Sequence, residues 1–346
     1  MNSKIRFGMV GTGRIAHAYA EAFRSSEVAE LVAVADTRED AVRAFAEETR
    51  CQGYTRYEDL AKHPSLEAVV VCTPPVSHPE ISTHFLERRV HVMCEKPVSI
   101  DIPSAKQMIE TADRAGVLLT MASKFRYVSD VVQAKSIVAS GVLGDIVQFE
   151  NCFCAHVDMA RRWNSDPAIS GGGVLIDNGT HSVDILRYFL GPIAEINVVE
   201  GIREQNLQTE ETVYVLTHNV NGVIGMLDLS WTISKSQASY IRVFGTQGSL
   251  SVGWTESRYR YNSSRHWFTF GSGYDKIQAL RSQVENFARA IRGEEKLLVT
   301  SEDILASVEV IIAAYVSLRQ KRWIPIQSAG VIKGDEEATR RLRVVP

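Results

Sequence analysis

The feature that most constrains this chain is its opening, where "KIRFGMV" runs straight into "GTGRIAHAYAEAFR". An apolar run of strand length is followed by Gly11-Thr12-Gly13-Arg14-Ile15-Ala16 and then by a helical pattern. A G-x-G-x-x-A turn between a strand and a helix is the context in which this motif binds a dinucleotide. Gly11 permits the tight turn, Gly13 lets the backbone approach a pyrophosphate, and Ala16 allows close helix–strand packing. The N-terminus of the helix offers free N–H groups and a partial positive charge to the anion.

The first third goes on alternating. "AELVAVAD", "EAVVVCT", "RVHVMC" and "VLLTMAS" read as strands, separated by the helix-like "REDAVRAFAEE", "HPEISTHFLERR" and "DIPSAKQMIETADRAG". Strands apolar on both faces and separated by helices imply a parallel sheet with right-handed crossovers. Asp36-Thr37-Arg38 follows the second strand, where a carboxylate can accept from both hydroxyls of a ribose. Asp36 would repel a 2′-phosphate and so favours NAD. Arg38 leaves NADP open, because it could pair with that phosphate or stack on adenine.

From Lys124 the rhythm changes. Long β-type runs appear in "DIVQFENCFCAHV", "ETVYVLTHNVNGVIGMLDLSW" and "SYIRVFGTQGSLSV", with hairpin signals at Asn221-Gly222 and Gln247-Gly248. The helix-like "QVENFARAIRG" and "TSEDILASVEVIIAAYVSLRQ" follow, the latter opening on a cap-like Thr300-Ser301-Glu302-Asp303. The expected architecture is α/β: a Rossmann domain over 1–123, then an α+β domain over 124–346 built on a large, mainly antiparallel open sheet. The charged tail from Ser328 is expected to be poorly ordered.

The formal net charge of −3 gives no general reason to bind nucleic acid or an anionic membrane. No apolar run approaches the roughly 18 residues of a membrane span, and "MNSKIRFGMVGTG" lacks a signal-peptide pattern. The five cysteines lack metal spacing. Cys152 and Cys154 should point the same way along a strand. Buried free thiols, no metal and a cytoplasmic location are expected.

Two loops at strand ends carry candidate chemistry. "VVVCTPPVSHPE" turns at Thr73, Pro74 and Pro75 ahead of His78, and "HVMCEKPVS" exposes Glu95 and Lys96 before Pro97. Ligands of open α/β sheets sit off the carboxyl ends of strands, so both loops should lie beside the cofactor. Further on, "GGGVLIDNGTHSVDI" runs three glycines into a helix with Asp177 four residues before His181. The aspartate can reach the imidazole at that spacing. By itself the stripe of Asp177, His181, Asp184 and Tyr188 suits a solvated face as well as a site.

These segments, with "KFRY", "GVLGDI" and "FGTQGSL", make the chain similar to the glucose–fructose oxidoreductase / inositol dehydrogenase / MocA family over nearly its whole length. The combination of E-K-P with G-G-x-x-x-D-x-G-x-H carries the likeness. The resemblance implies that Lys96 is the catalytic lysine at the reacting oxygen and nicotinamide ribose. It also implies that Asp177 and His181 pair at the substrate hydroxyl, with the histidine as proton acceptor. Gly11 to Ile15, Asp36 to Arg38, Thr73, Pro74, His78, Glu95 and Lys96 then fall on the cofactor side.

The chemistry agrees with that resemblance. A neutral imidazole suits proton removal near pH 7, a neighbouring carboxylate can orient it and favour its charged form, and Lys96 supplies positive field where alkoxide develops. The glycine run would let the chain approach the site closely. Lys124, Arg126 and Trp163 are candidate substrate contacts; Asp184 is read as structural. Family members acting on cyclitols often carry a tyrosine where this chain has Leu280 and Arg281, which argues against inositol and suggests that Arg281 meets an anionic group.

The expected function is an NAD-dependent dehydrogenase of a sugar, sugar derivative or cyclitol. A redox-neutral enzyme that retains NAD while processing a glycoside, and a non-catalytic dinucleotide-binding regulator, are the alternatives. A homodimer or homotetramer is expected, because one sheet face lacks helices to cover it.

Overall fold

The computed structural model describes residues 3–326; the tail from Ser328 lies outside the described residues. The first sheet comprises β1 (Ile5–Val10), β2 (Ala29–Ala35), β3 (Gln52–Tyr54), β4 (Ala68–Val71), β5 (His91–Glu95) and β6 (Leu119–Ala122). Its order is β3-β2-β1-β4-β5-β6 with every pair parallel. Its crossovers are α1 (Arg14–Arg24), α2 (Glu39–Thr49), the short α3 (Tyr57–Leu60), α4 (His78–Leu86) and α5 (Ile102–Ala115). The central strands are apolar on both sides because both faces are covered: Phe7, Met9, Val70 and Met93 face one core, Val69, Val71 and Val92 the other. Strand order reverses between β1 and β4, which opens a crevice at the carboxyl ends of those strands.

The rest of the chain supplies α6 (Ser129–Ala139), β7 (Ile146–Cys154), α7 (Pro167–Ser170), α8 (Val174–Leu190), β8 (Ile193–Glu200), β9 (Thr212–Asn219) and β10 (Ile224–Ser230). It continues with β11 (Ser239–Gly245), β12 (Gly248–Gly253), β13 (Ser257–Tyr261), β14 (Phe268–Gly271), α9 (Lys276–Ile291), α10 (Ser301–Gln320) and β15 (Ile324–Pro325). The nine strands run β14-β13-β12-β11-β7-β10-β9-β8-β15. All pairs are antiparallel except β7 with β10. Asn221-Gly222 turns β9 into β10, as the dipeptide predicts, with Gly222 at φ 83°. Thr300 and Asp303 form a reciprocal capping box at the start of α10.

Helices α6, α8 and α10 lie against one face of this sheet. The other face carries half-buried or exposed side chains such as Gln148, Glu150, Tyr214, Met226 and Arg242. The last two long helices also return to the first sheet. Leu280, Val284 and Phe287 of α9 join Phe7 and Phe23 on one side, and Val299, Ile304 and Val308 join the core on the other. The first sheet ends at Ala122 and the second begins at Ile146, while the cores of the first are completed from the far end of the chain. No described helix is long and apolar enough to cross a membrane.

Candidate active site

A cleft of about 550 Å³ lies where the carboxyl ends of β4 and β5 and the start of α1 face α8 and the ends of β7, β10 and β12. The phosphate loop forms its first wall. Gly11 has φ +95°, and a Cβ there would stand 2.9 Å from the carbonyl of Cys72, so both the turn and the neighbouring strand require glycine. A Cβ on Gly13 would meet no protein atom within 4 Å, and the residue lines the cleft. Helix α1 begins at Gly13 with no side-chain cap, which leaves its first N–H groups to an anion. Arg14 and Ile15 line the same wall, and Ala16 is fully buried against the sheet.

Asp36 closes the loop from the side. Its Oδ2 accepts from the N and Oγ1 of Thr12 at 2.9 and 2.8 Å, and its Oδ1 accepts from the N and Nε of Arg38 at 3.0 and 3.2 Å. Burial pushes this carboxyl upward, but the bonds from Arg38 and Thr12 outweigh it and hold the pKa at about 2. Thr37 beside it is exposed. An open glycine cradle, an uncapped helix start and an ionised carboxylate at the end of β2 together fit a dinucleotide, with adenosine toward Asp36 and nicotinamide toward β5.

The second wall brings the three candidate catalytic residues together. Lys96, just past β5, donates its Nζ to the carbonyl oxygen of Asp177 at 3.0 Å and to the Asp177 carboxylate. His181 lies one turn further along α8, edge-on to Phe125 at 5.1 Å between ring centroids. All three line the cleft. The expected Asp177–His181 pair is not formed, because the carboxylate is taken by the ammonium reaching across from β5. Burial, and then the charges of Lys96 and Lys124, hold the imidazole well below its ordinary pKa, so it stands neutral. Among the described residues no hydrogen-bond partner engages either of its ring nitrogens.

The glycine run has a different use from the one its sequence suggests. A Cβ on Gly172 would overlap the Tyr315 hydroxyl, and one on Gly173 would overlap the carbonyl oxygen of Glu210. Buried Glu210 accepts from the N–H groups of Gly173 and Leu175 at 2.8 and 3.0 Å and from the Tyr315 hydroxyl at 2.8 Å. The glycines therefore make room for the group that caps α8 and sets the height of Asp177, rather than for a ligand.

Lys124 and Trp163 line the cleft as expected, and so do Thr73 and Glu95. Other candidates do not reach it. Arg126 is only 4% exposed: it forms an ion pair with Asp184 at 2.7 Å, and it donates to the Asp184 carboxylate at 3.0 Å, to Asp303 at 3.0 Å and to the Leu298 carbonyl at 3.1 Å. It ties α8 to the start of α10, and Asp184 is its structural partner. His78 is buried between the two loops, with Nδ1 2.8 Å from the Pro97 carbonyl and Nε2 2.7 Å from the Thr73 carbonyl. It braces the wall without touching the space inside. Pro74 opens a 3-10 helix (Pro75–Ser77), and Pro75 takes the lining position instead. Arg281 faces a separate open cavity with Glu21, Arg24 and Asp275, while Leu280 is core.

Several lining residues carry no sequence signal of their own. Trp231 and Trp254 follow the ends of β10 and β12, Arg162 precedes Trp163, and Lys276 starts α9. An aromatic or basic residue just past a strand end is the only hint available, and it becomes specific only once the sheet order is known. Cys152 and Cys154 share the outward face of the second sheet, and the parallel register sets Asp228 beside Cys152. The ligand atoms of these three lie within 4.8 Å of one another, and Lys235 already pairs with Asp228.

Two family models match the chain. One, described as an oxidoreductase family with an NAD-binding Rossmann fold, spans residues 5–123; the other, the GFO/IDH/MocA C-terminal domain, spans 131–251. A myo-inositol 2-dehydrogenase of Thermotoga maritima is 26% identical over 344 residues, covering 93% of this chain and 99% of its own. A glucose-6-phosphate 3-dehydrogenase of Bacillus subtilis is 28% identical over 226 residues, 64% of either chain. The solved structure of a levoglucosan dehydrogenase with NADH and L-sorbose shares the fold with a TM-score of 0.87 at 18% identity, covering 94% of this chain and 99% of that one.

Proposed function

Because the chain belongs to the GFO/IDH/MocA oxidoreductase family and carries its NAD-binding Rossmann domain, we propose that it interconverts a secondary alcohol and a ketone on a sugar, sugar derivative or cyclitol. The observation that carries this reading is the convergence of Lys96 from one sheet with Asp177 and His181 from the other, in the cleft that starts at the phosphate loop. Similarity to an inositol dehydrogenase and a sugar-phosphate dehydrogenase supports the substrate class.

NAD, when bound, supplies the acceptor for the hydride leaving the carbinol carbon. Neutral His181, with free ring nitrogens, takes the hydroxyl proton. Lys96 holds the reacting oxygen and offsets the charge that grows on it, and Asp177 holds Lys96 in place while offsetting its charge in the resting cleft. Phe125 packs edge-on against the imidazole, and burial keeps most of the ring from water. In reduction the hydride and this proton would move the other way.

The five cysteines are free, which suits a reducing compartment such as the cytoplasm. The uncovered face of the second sheet is where a second copy would pack, giving a homodimer or homotetramer; light scattering tests this, and a monomer would contradict it. For the activity, the purified protein is offered NAD or NADP with sugars, sugar acids, inositols, glycosides and nucleotide sugars while reduced nicotinamide is followed. NADH formed from a secondary alcohol supports the reading. Consumption of a glycoside with NAD retained and no net NADH would replace it with the redox-neutral alternative.

A further inference from the structure

Five basic side chains and two carboxylates line the cleft. Asp177 is engaged by Lys96, and Glu95 accepts from the Tyr19 hydroxyl at 2.8 Å and the Lys96 N–H at 3.2 Å. Arg14 stands at the phosphate loop, where a dinucleotide would meet it. This leaves Lys124, Lys276 and Arg162 on the substrate side. Among the described residues, none of their charged ends has a carboxylate within ion-pair distance or a hydrogen-bond acceptor. Asp275, next to Lys276, points into its own helix and accepts from the N–H groups of Ile277 and Gln278.

We infer, resting on the dehydrogenase reading above, that the substrate is an anionic carbohydrate. Its carboxylate or phosphate sits between Lys124 and Lys276, its ring lies against Trp254, and its secondary alcohol meets Lys96 and His181. A neutral sugar would leave these ammonium groups uncompensated in a partly dehydrated cleft, beside an oxidised nicotinamide that is itself cationic. An anion pairs with them, and this anchor helps set which ring carbon faces His181.

The titration of Lys124 agrees with this geometry. Burial first, then the charges of Lys96 and Lys276, draw its ammonium down to about 8 against the opposing pull of Glu95 and Asp177. His181 faces it as well and is neutral. An anion bound there would favour the charged lysine, so anion affinity is full below about pH 8 and declines as the pH rises beyond it.

The test titrates the NADH-loaded enzyme with D-glucuronate, D-glucose 6-phosphate and D-glucose, following the fluorescence of the cleft tryptophans. At least one anion is expected to bind about tenfold or more tightly than glucose, and which one does so distinguishes a carboxylate from a phosphate. The Lys124→Met/Lys276→Met double variant should bring that anion down to the affinity of glucose. Glucose binding as tightly as both anions, no saturable binding of either anion, or an advantage that survives the double variant would overturn the inference. A parallel assay with NAD separates the two readings. NADH formed from neutral sugars alone removes the anionic substrate and keeps the dehydrogenase. Anion-selective binding with no NADH from any carbohydrate does the reverse.

Discussion

The carboxylate of Asp177 is held by the ammonium of Lys96, and His181, one turn further along the same helix, has no charged partner of opposite sign. The pair visible in the sequence is Asp177 with His181; the pair in the fold is Asp177 with Lys96, 81 residues apart. That exchange decides how the site titrates. A carboxylate on the imidazole would favour its charged form, whereas the arrangement found leaves the ring among an aromatic edge and two cations.

The first prediction follows from that sign. For oxidation the base must be unprotonated, so kcat/KM falls as the pH drops through the pKa of His181 in the free enzyme. Burial and the two lysines lower that pKa, so the acid limb lies below the ordinary histidine value of 6.5. Lys124→Met removes a repelling charge and should move the limb upward; Asp177→Asn leaves Lys96 unopposed and should move it down. A wild-type limb above the ordinary value would contradict the assignment.

Arg126 and Asp184 predict a change in stability rather than in catalysis. Each is almost fully buried, and removing one strands the other's charge. Arg126→Met should cost about 3–5 kcal/mol in urea unfolding, with NAD affinity unchanged in the folded fraction. A raised KM at unaltered stability would return Arg126 to the substrate.

The parallel sheet, the phosphate loop, the hairpin at Asn221-Gly222 and the cap at Thr300 were all legible because each rests on local pattern: apolar periodicity, glycine spacing, turn chemistry. Lys96, Asp177 and His181 were legible through resemblance, and they do share a cleft. What the pattern cannot carry is the direction of a long side chain. Lys124 and Arg126 are two residues apart in "KFRY", yet one lines the cleft and the other is buried on Asp184 and Asp303, because those partners arrive from α8 and α10. Trp231, Trp254 and Lys276 were missed for the same reason: their place depends on sheet order, not on neighbours in sequence.

The glycine run allows a test of packing. Gly172→Ala would drive a methyl group into the Tyr315 hydroxyl, and overpacking of this kind costs about 1–3 kcal/mol. Tyr315→Leu removes both the hydroxyl and the ring carbon that carries it, so Gly172→Ala should cost less thermal stability in that background than in wild type. An equal cost in both backgrounds would mean that the glycine serves something other than Tyr315.

Cofactor choice rests on Asp36. Its ionised carboxylate should disfavour the 2′-phosphate by more than about tenfold in kcat/KM, and Asp36→Ser should narrow that gap by freeing Arg38 for the phosphate. The variant should also lose some efficiency with NAD, since Thr12 loses its acceptor. Wild-type enzyme using both cofactors equally would refute this role for Asp36.

The most direct test of the catalytic account is the single-turnover rate of NADH formation by His181→Ala, measured beside wild type on an alcohol that the wild-type enzyme oxidises. The account predicts a loss of about 10²–10⁴-fold with the affinity for NAD unchanged, because the ring belongs to the substrate side of the cleft. A variant that forms NADH at the wild-type rate, with the wild-type pH profile, would show that the proton leaves by another route and that Lys96, Asp177 and His181 do not act together.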